Sequence, residues 1–209
     1  MRLLAASLCV AIVMCAGGVS ASSTIHIALT FDHNERLPKA VLSTAIDEAK
    51  RLWARYGIVL HVETQTVYTG ATVSLAITTD YEREAANGDE DLGEIRFSAD
   101  GIPDTHITLY YRAIVRLASG SPVMGTETRL GPAALLEQAI GRVLGRALAH
   151  EIGHFVLRWP HHSSSGLMRS RQHTSALVDP SGRSFTLTKV DRARLQIVLD
   201  AQPAVAALQ

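Results

Sequence analysis

The sequence reads as an α/β domain of α+β layout, a mixed sheet packed on helices, and three observations predict it. Residues 24–31 (TIHIALTF) alternate polar and apolar side chains, the period of a half-buried strand. Residues 38–56 then set Val41, Leu42, Ala45, Ile46, Ala49, Leu52 and Trp53 at helical spacing, and further strand-like runs follow. A longer helical pattern fills residues 132–157 and ends in a cluster of His and Glu. The 209 residues suit one domain, divisible into an N-terminal lobe over 22–154 and a smaller C-terminal lobe over 155–209.

The elements follow in order. Gly57 is a stop signal for the first helix. Residues 58–63 and 72–78 read as strands, 81–91 as a polar loop and 105–111 as another strand. Residues 118–132 carry Gly, Ser and Pro and read as a loop, with Pro132 suited to the first turn of a helix. Leu135, Leu136, Ala139, Ile140, Val143, Leu144, Ala147 and Leu148 then fall on one broad apolar face. Gly141, Gly145 and Gly153 each weaken that helix by about 1 kcal/mol relative to Ala, which points to close packing against another backbone. Trp159-Pro160 ends it, because Pro disfavours helical geometry in the residue before it. The chain reads as irregular to about Phe185. A last helix starts at Thr188, spaced from Asp191 as in a variant capping box, with Asp191 and Asp200 read as solvated.

Composition narrows the class. A hydrophobic share of 47% argues against disorder. Twenty basic residues balance 20 acidic ones without a basic tract, so no nucleic-acid partner is expected. Arg2, an uncharged apolar run over 3–16 and the small residues 17–21 form a secretory signal peptide, with cleavage expected after Ala21 and a single domain over 22–209. The run is too short to span a bilayer well, so no stable membrane insertion is expected after cleavage and the product is expected to be secreted or periplasmic. Cys9 and Cys15 both lie in this segment. An exported domain without thiols relies on its core, or on a metal, to hold together.

His150-Glu151-Ile152-Gly153-His154 is an H-E-x-x-H motif near the end of the long helix. Residues four apart lie above one another on one helix face, so two imidazoles can bind one Zn²⁺ at about 2.0–2.1 Å each. Glu151, one residue along, stands beside the metal, placed to take a proton from a zinc-activated water and pass it to the leaving group. A zinc hydrolase has three protein ligands and one open position. No Glu follows Glu151, which excludes a downstream Glu as third ligand. His161, His162 and His173 are the better candidates, ahead of Asp179, Asp191 and Asp200.

The run HEIGHFVLRWPHHSSSGLMR, 20 of the 209 residues, resembles the metzincin clan of zinc peptidases, and most closely small secreted bacterial proteins with HS and GLM soon after the helix. In that clan the helix carries H-E-x-x-H-x-x-G-x-x-H and a turn containing Met follows. His150, Glu151 and His154 match the first half. The resemblance makes His162 the third ligand, with His161 as alternative, and Met168 of Gly166-Leu167-Met168 the Met-turn residue. It implies a zincin fold, Zn²⁺ as cofactor, and a peptide or protein substrate lying extended along a sheet edge above the metal. This sequence departs from the pattern in having Leu157 at the Gly position and seven residues, not five, between His154 and His162.

Two other functions fit the motif. One is a non-catalytic zinc module closed by both His161 and His162; the other is a zinc amidase acting on cell-wall material. Of the remaining features, His26, His33, His61 and His106 read as structural or surface residues, and Arg169 and Arg171 as surface charge or as the lining of a specificity pocket. The acidic residues of 82–91 read as a solvated loop, and Tyr110 and Tyr111 as optional oxyanion donors.

Overall fold

The computed structural model describes residues 24–32, 37–63, 73–80, 91–123, 126–127 and 131–201. The expected signal segment, His33 and the acidic run up to Glu90 lie outside these. Strands β1 (Ile25–Asp32), β2 (Ile58–Glu63), β3 (Val73–Asp80), β4 (Gly93–Phe97) and β5 (Pro103–Tyr110) form one mixed sheet in the order β2-β1-β3-β5-β4. β1 pairs in parallel with β2 and β3, β3 in parallel with β5, and β4 antiparallel to β5. Among the described residues β4 is therefore an antiparallel edge strand. A helix, α1 (Lys39–Ala54), makes the crossover between the parallel β1 and β2.

The core forms where α1 and the long helix α3 (Ala133–Leu157) meet the sheet. Ile25, Ile27 and Leu29 of β1 are buried with Val41, Ala45, Leu52 and Trp53 of α1 and Val143, Leu144 and Leu148 of α3. Two of the helix-weakening glycines sit at the α1–α3 contact, as their number suggested. A Cβ on Gly141 would stand 2.5 Å from Thr44 Cβ, and one on Gly145 would overlap the Ala45 carbonyl. The third, Gly153, faces the Met168 sulfur instead of a backbone. Trp53 Nε1 donates to Ala149 O at 3.0 Å, fixing α1 to α3 one residue before His150.

Five elements depart from expectation. Residues 111–119 form a helix, α2 (Tyr111–Ser119), so Tyr111 opens a helix and does not end a strand; Ala113, Ile114 and Ala118 bury one face of it. The edge strand β4 and the five-residue helix α4 (Thr174–Val178) were not anticipated. A two-stranded ribbon, β6 (Pro122–Val123) with β7 (Thr126–Glu127), lies within the expected loop.

The last helix, α5 (Lys189–Ala201), starts as its capping pattern predicts. Thr188 N donates to Asp191 Oδ2 at 2.9 Å, and Asp191 N donates to Thr188 Oγ1 at 3.2 Å. Asp191 itself is not solvated. It is only 4% exposed, because its other oxygen accepts a hydrogen bond from Ser163 Oγ at 2.7 Å. Asp200 is exposed, as expected.

Candidate metal centre

Arg146, His150 and His154 occupy one face of α3, one turn apart. Past Leu157 the chain leaves the helix at Arg158, which takes the left-handed conformation (φ 49°) at a cost of about 1–2 kcal/mol for a residue with a Cβ. The sharp turn thus falls one position after Leu157 and needs no Gly. It delivers the Trp159 carbonyl to His154 and the following loop to the open face of the helix.

Each helix histidine is held by a carbonyl from that loop. His150 Nδ1 lies 2.8 Å from Leu167 O, and His154 Nδ1 lies 2.6 Å from Trp159 O. A carbonyl only accepts, so in both rings Nδ1 carries the hydrogen and Nε2 presents a lone pair. The two Nε2 atoms are 3.1 Å apart. Two bare lone pairs at that distance repel one another and are stabilised by a cation between them. Two nitrogens bound tetrahedrally to one zinc stand about 3.4 Å apart, on Zn–N distances of about 2.0–2.1 Å.

His162 completes the group. Its ring stacks on His150 with centroids 5.2 Å apart and lies edge-on to His154 at 4.9 Å. Ligand atoms of His150, His154 and His162 all lie within 4.8 Å of one another. His161 is outside the group and packs against the Trp159 ring, centroids 4.7 Å apart. His173 is exposed at the start of α4. Burial, with the neighbouring His154, pushes His150 down to about 3. His154 and His162 are also lowered, chiefly by burial. All three are neutral at neutral pH, the form a metal requires.

Glu151 is 6% exposed, beside the cluster. Burial, then the charges of Asp91 and Glu94, push its carboxyl up to about 8, against a hydrogen bond from the Ile95 backbone N–H. A cation at the histidines would act in the opposite direction. β4 comes this close because residue 93 is Gly: a Cβ there would stand 3.2 Å from Glu151 Cγ and 2.9 Å from Leu109 Cδ2.

A cleft of about 700 Å³ opens over the three histidines and Glu151. Asp91 and residues 92–95 and 97 line it from β4 and its approach, and residues 169–172 with Leu177 and Phe185 from the chain after α3. Arg169 and Arg171 therefore belong to the cleft wall. Tyr110 and Tyr111 do not line it. Met168 is buried beneath α3 against Gly153. His26 and His61 meet each other away from the cluster, Nδ1 to Nε2 at 2.9 Å.

Sequence reasoning missed Arg146 and Glu48. Arg146 is 1% exposed; its Nε donates to Glu48 Oε1 at 2.7 Å, and its other nitrogens donate to the carbonyls of Ala176, Leu177 and Asp179 at 2.6, 2.9 and 2.6 Å. It closes the C-terminal end of α4 against α3 and so fixes the cleft wall at Leu177. A signal was available: in each helix a charge stands at helical spacing from apolar residues, Glu48 three after Ala45 and four before Leu52, and Arg146 three after Val143.

The chain matches no protein-family model, and no curated protein matches it. Among the described residues, no helix is long and apolar enough to cross a membrane.

Proposed function

We propose that this protein is a secreted zinc-dependent metallopeptidase of metzincin type. The observation that carries the reading is the pair of helix histidines with Nδ1 spent on carbonyls and Nε2 turned toward a third histidine, beside the buried carboxylate Glu151. In this reading His150, His154 and His162 hold the ion and Met168 underlies it as the Met-turn residue. When bound, zinc supplies Lewis-acid polarisation of a scissile carbonyl and of water.

The chain's own groups do the rest. Among the described residues β4 pairs only with β5, and an extended peptide would add along its outer side as a further strand, its side chains falling alternately into and out of the cleft. Glu151 takes the proton of the attacking water and hands it to the departing amine. Its burial favours holding that proton between the two transfers. Glu94 of β4 and Asp91 just before it, with Arg169 and Arg171 across the cleft, set the charge a substrate meets.

The test is elemental analysis of the purified protein together with casein cleavage, with and without a chelator, and Glu151→Gln in parallel. One zinc per chain is expected. Cleavage should be lost on chelation, and Glu151→Gln should lower it by at least about 100-fold while zinc is retained, the lower end of what general acid–base groups contribute. Full activity in Glu151→Gln would remove its role. Zinc without cleavage of any protein substrate would favour a non-peptide amide such as cell-wall material. Absence of zinc would overturn the reading.

A further inference from the structure

We propose that segment 186–194, the entry to α5 and its first turns, is the positioning element of the histidine cluster, and that Ser163, Asp191 and Arg194 set how firmly a metal is held there. This rests on the metal-centre reading above.

Each of the three histidines is joined to that segment through one intermediary. Leu167, whose carbonyl takes the hydrogen of His150 Nδ1, donates its own N–H to Thr186 O at 2.8 Å. Trp159, whose carbonyl takes the hydrogen of His154 Nδ1, lies beneath the Arg194 guanidinium at 3.6 Å, and Arg194 Nε donates to Leu157 O at 3.1 Å. His162 is followed by Ser163, whose Oγ donates to Asp191 Oδ1 at 2.7 Å. The Asp191 carboxylate is fixed in turn by the N–H and hydroxyl of Thr188, at 2.9 and 2.7 Å.

These contacts exceed what docking a helix requires. Leu195 and Leu199 already bury the apolar face of α5. The polar groups of Asp191 and Arg194 are spent on the neighbours of metal ligands. Groups that orient ligands from outside the coordination shell typically change metal affinity 10–100-fold when removed. Ligands already held in place lose less freedom when a metal binds, and coupling of this kind is reciprocal, so a bound metal in turn tightens 186–194.

The experiment uses the full chain loaded with zinc and, separately, with cobalt, whose visible absorption reports ligand geometry. Release of zinc to a chromogenic chelator and the cobalt spectrum are measured for wild type, Ser163→Ala, Ser163→Thr and Arg194→Met. Gln196→Ala serves as control, an exposed residue on α5 whose amide donates to Asp200 at 2.7 Å. Ser163→Ala and Arg194→Met should weaken zinc binding about 10–100-fold and alter the cobalt band. Ser163→Thr, which keeps the hydroxyl, should restore both, and Gln196→Ala should match wild type. Should Arg194→Met not fold, Ser163→Ala decides alone. Wild-type affinity and an unchanged cobalt band in the folded variants would overturn the proposal and reduce these contacts to helix docking. A wild type that binds no zinc would overturn the metal-centre reading itself, and this inference with it.

Discussion

Met168 occupies the space that a side chain at position 153 would need. A Cβ on Gly153 would overlap the Met168 sulfur and stand 3.0 Å from its terminal methyl. Gly153 lies in α3 between Glu151 and His154, so this contact seats the turn after the helix directly under the H-E-x-x-H motif. Helix propensity alone would favour Ala at 153 by about 1 kcal/mol. Overpacking a tight core costs about 1–3 kcal/mol, and Met168, 1% exposed, has no solvent side to swing toward. Overpacking therefore wins, and Gly153→Ala should lower stability by about 1–2 kcal/mol in urea denaturation. Met168→Ala alone should cost about 2–5 kcal/mol. The double variant should cost less than the sum, because shortening the side chain at 168 vacates the contested space. Strict additivity would show that the two positions do not compete for it.

The two adjacent histidines should behave differently. His162→Ala should weaken zinc binding by more than about 100-fold, beyond the upper end of what groups outside the coordination shell cost. His161→Ala, on the Trp159 side, should stay within about twofold of wild type by the same competition assay. The reverse result would move the third ligand to His161.

Metal should also stabilise the fold. The three histidines come from α3 and from the loop after it, so an ion joins parts that otherwise depend on Leu167, Trp159 and Ser163. Zinc at 100 times its dissociation constant should add about 2.7 kcal/mol. That corresponds to a rise in Tm of about 5–11 °C for a chain of this size. A chelator should reverse the rise, and His162→Ala should abolish most of it. A Tm indifferent to zinc in the wild type would contradict a metal bound to the native state.

How much of this was legible follows from what makes each signal. β1, α1 and α3 were readable because their apolar residues recur over many turns or alternate cleanly, and the Thr188–Asp191 spacing marked the start of α5. His150 and His154 were readable because helical periodicity fixes their separation. α2 and α4 were not: nine and five residues give periodicity little to work on, and their burial is decided by α3 and the sheet. The solvated reading of Asp191 failed because its partner, Ser163, lies 28 residues away in sequence. Local pattern likewise gave His162 no position relative to the helix; the left-handed Arg158 and the carbonyls of Trp159 and Leu167 define it.

The pair Glu48–Arg146 gives the fold a dependence on pH. Both side chains are buried, 7% and 1% exposed, and Arg51 adds bonds to the same carboxylate at 2.9 and 2.8 Å. Burial pushes the Glu48 carboxyl up, but hydrogen bonds and charge from Arg51 and Arg146 outweigh it and hold the group below its ordinary value of 4.5. The folded state therefore binds that proton less readily than the unfolded chain does. The stability this contributes is fully present above the ordinary carboxyl range and is lost as pH falls through the depressed value. Glu48→Gln should flatten that part of the acid slope. It should also cost about 3–5 kcal/mol at neutral pH, since Arg146 would keep only three carbonyls as partners for a buried charge. Replacing both residues by Met should cost less than Glu48→Gln alone, because it removes the uncompensated charge as well as the bond. Urea denaturation from pH 3 to 7 on the three proteins checks this. An acid slope in Glu48→Gln equal to that of wild type would place the titration on other carboxylates and leave Glu48–Arg146 as a packing contact between α1 and α3.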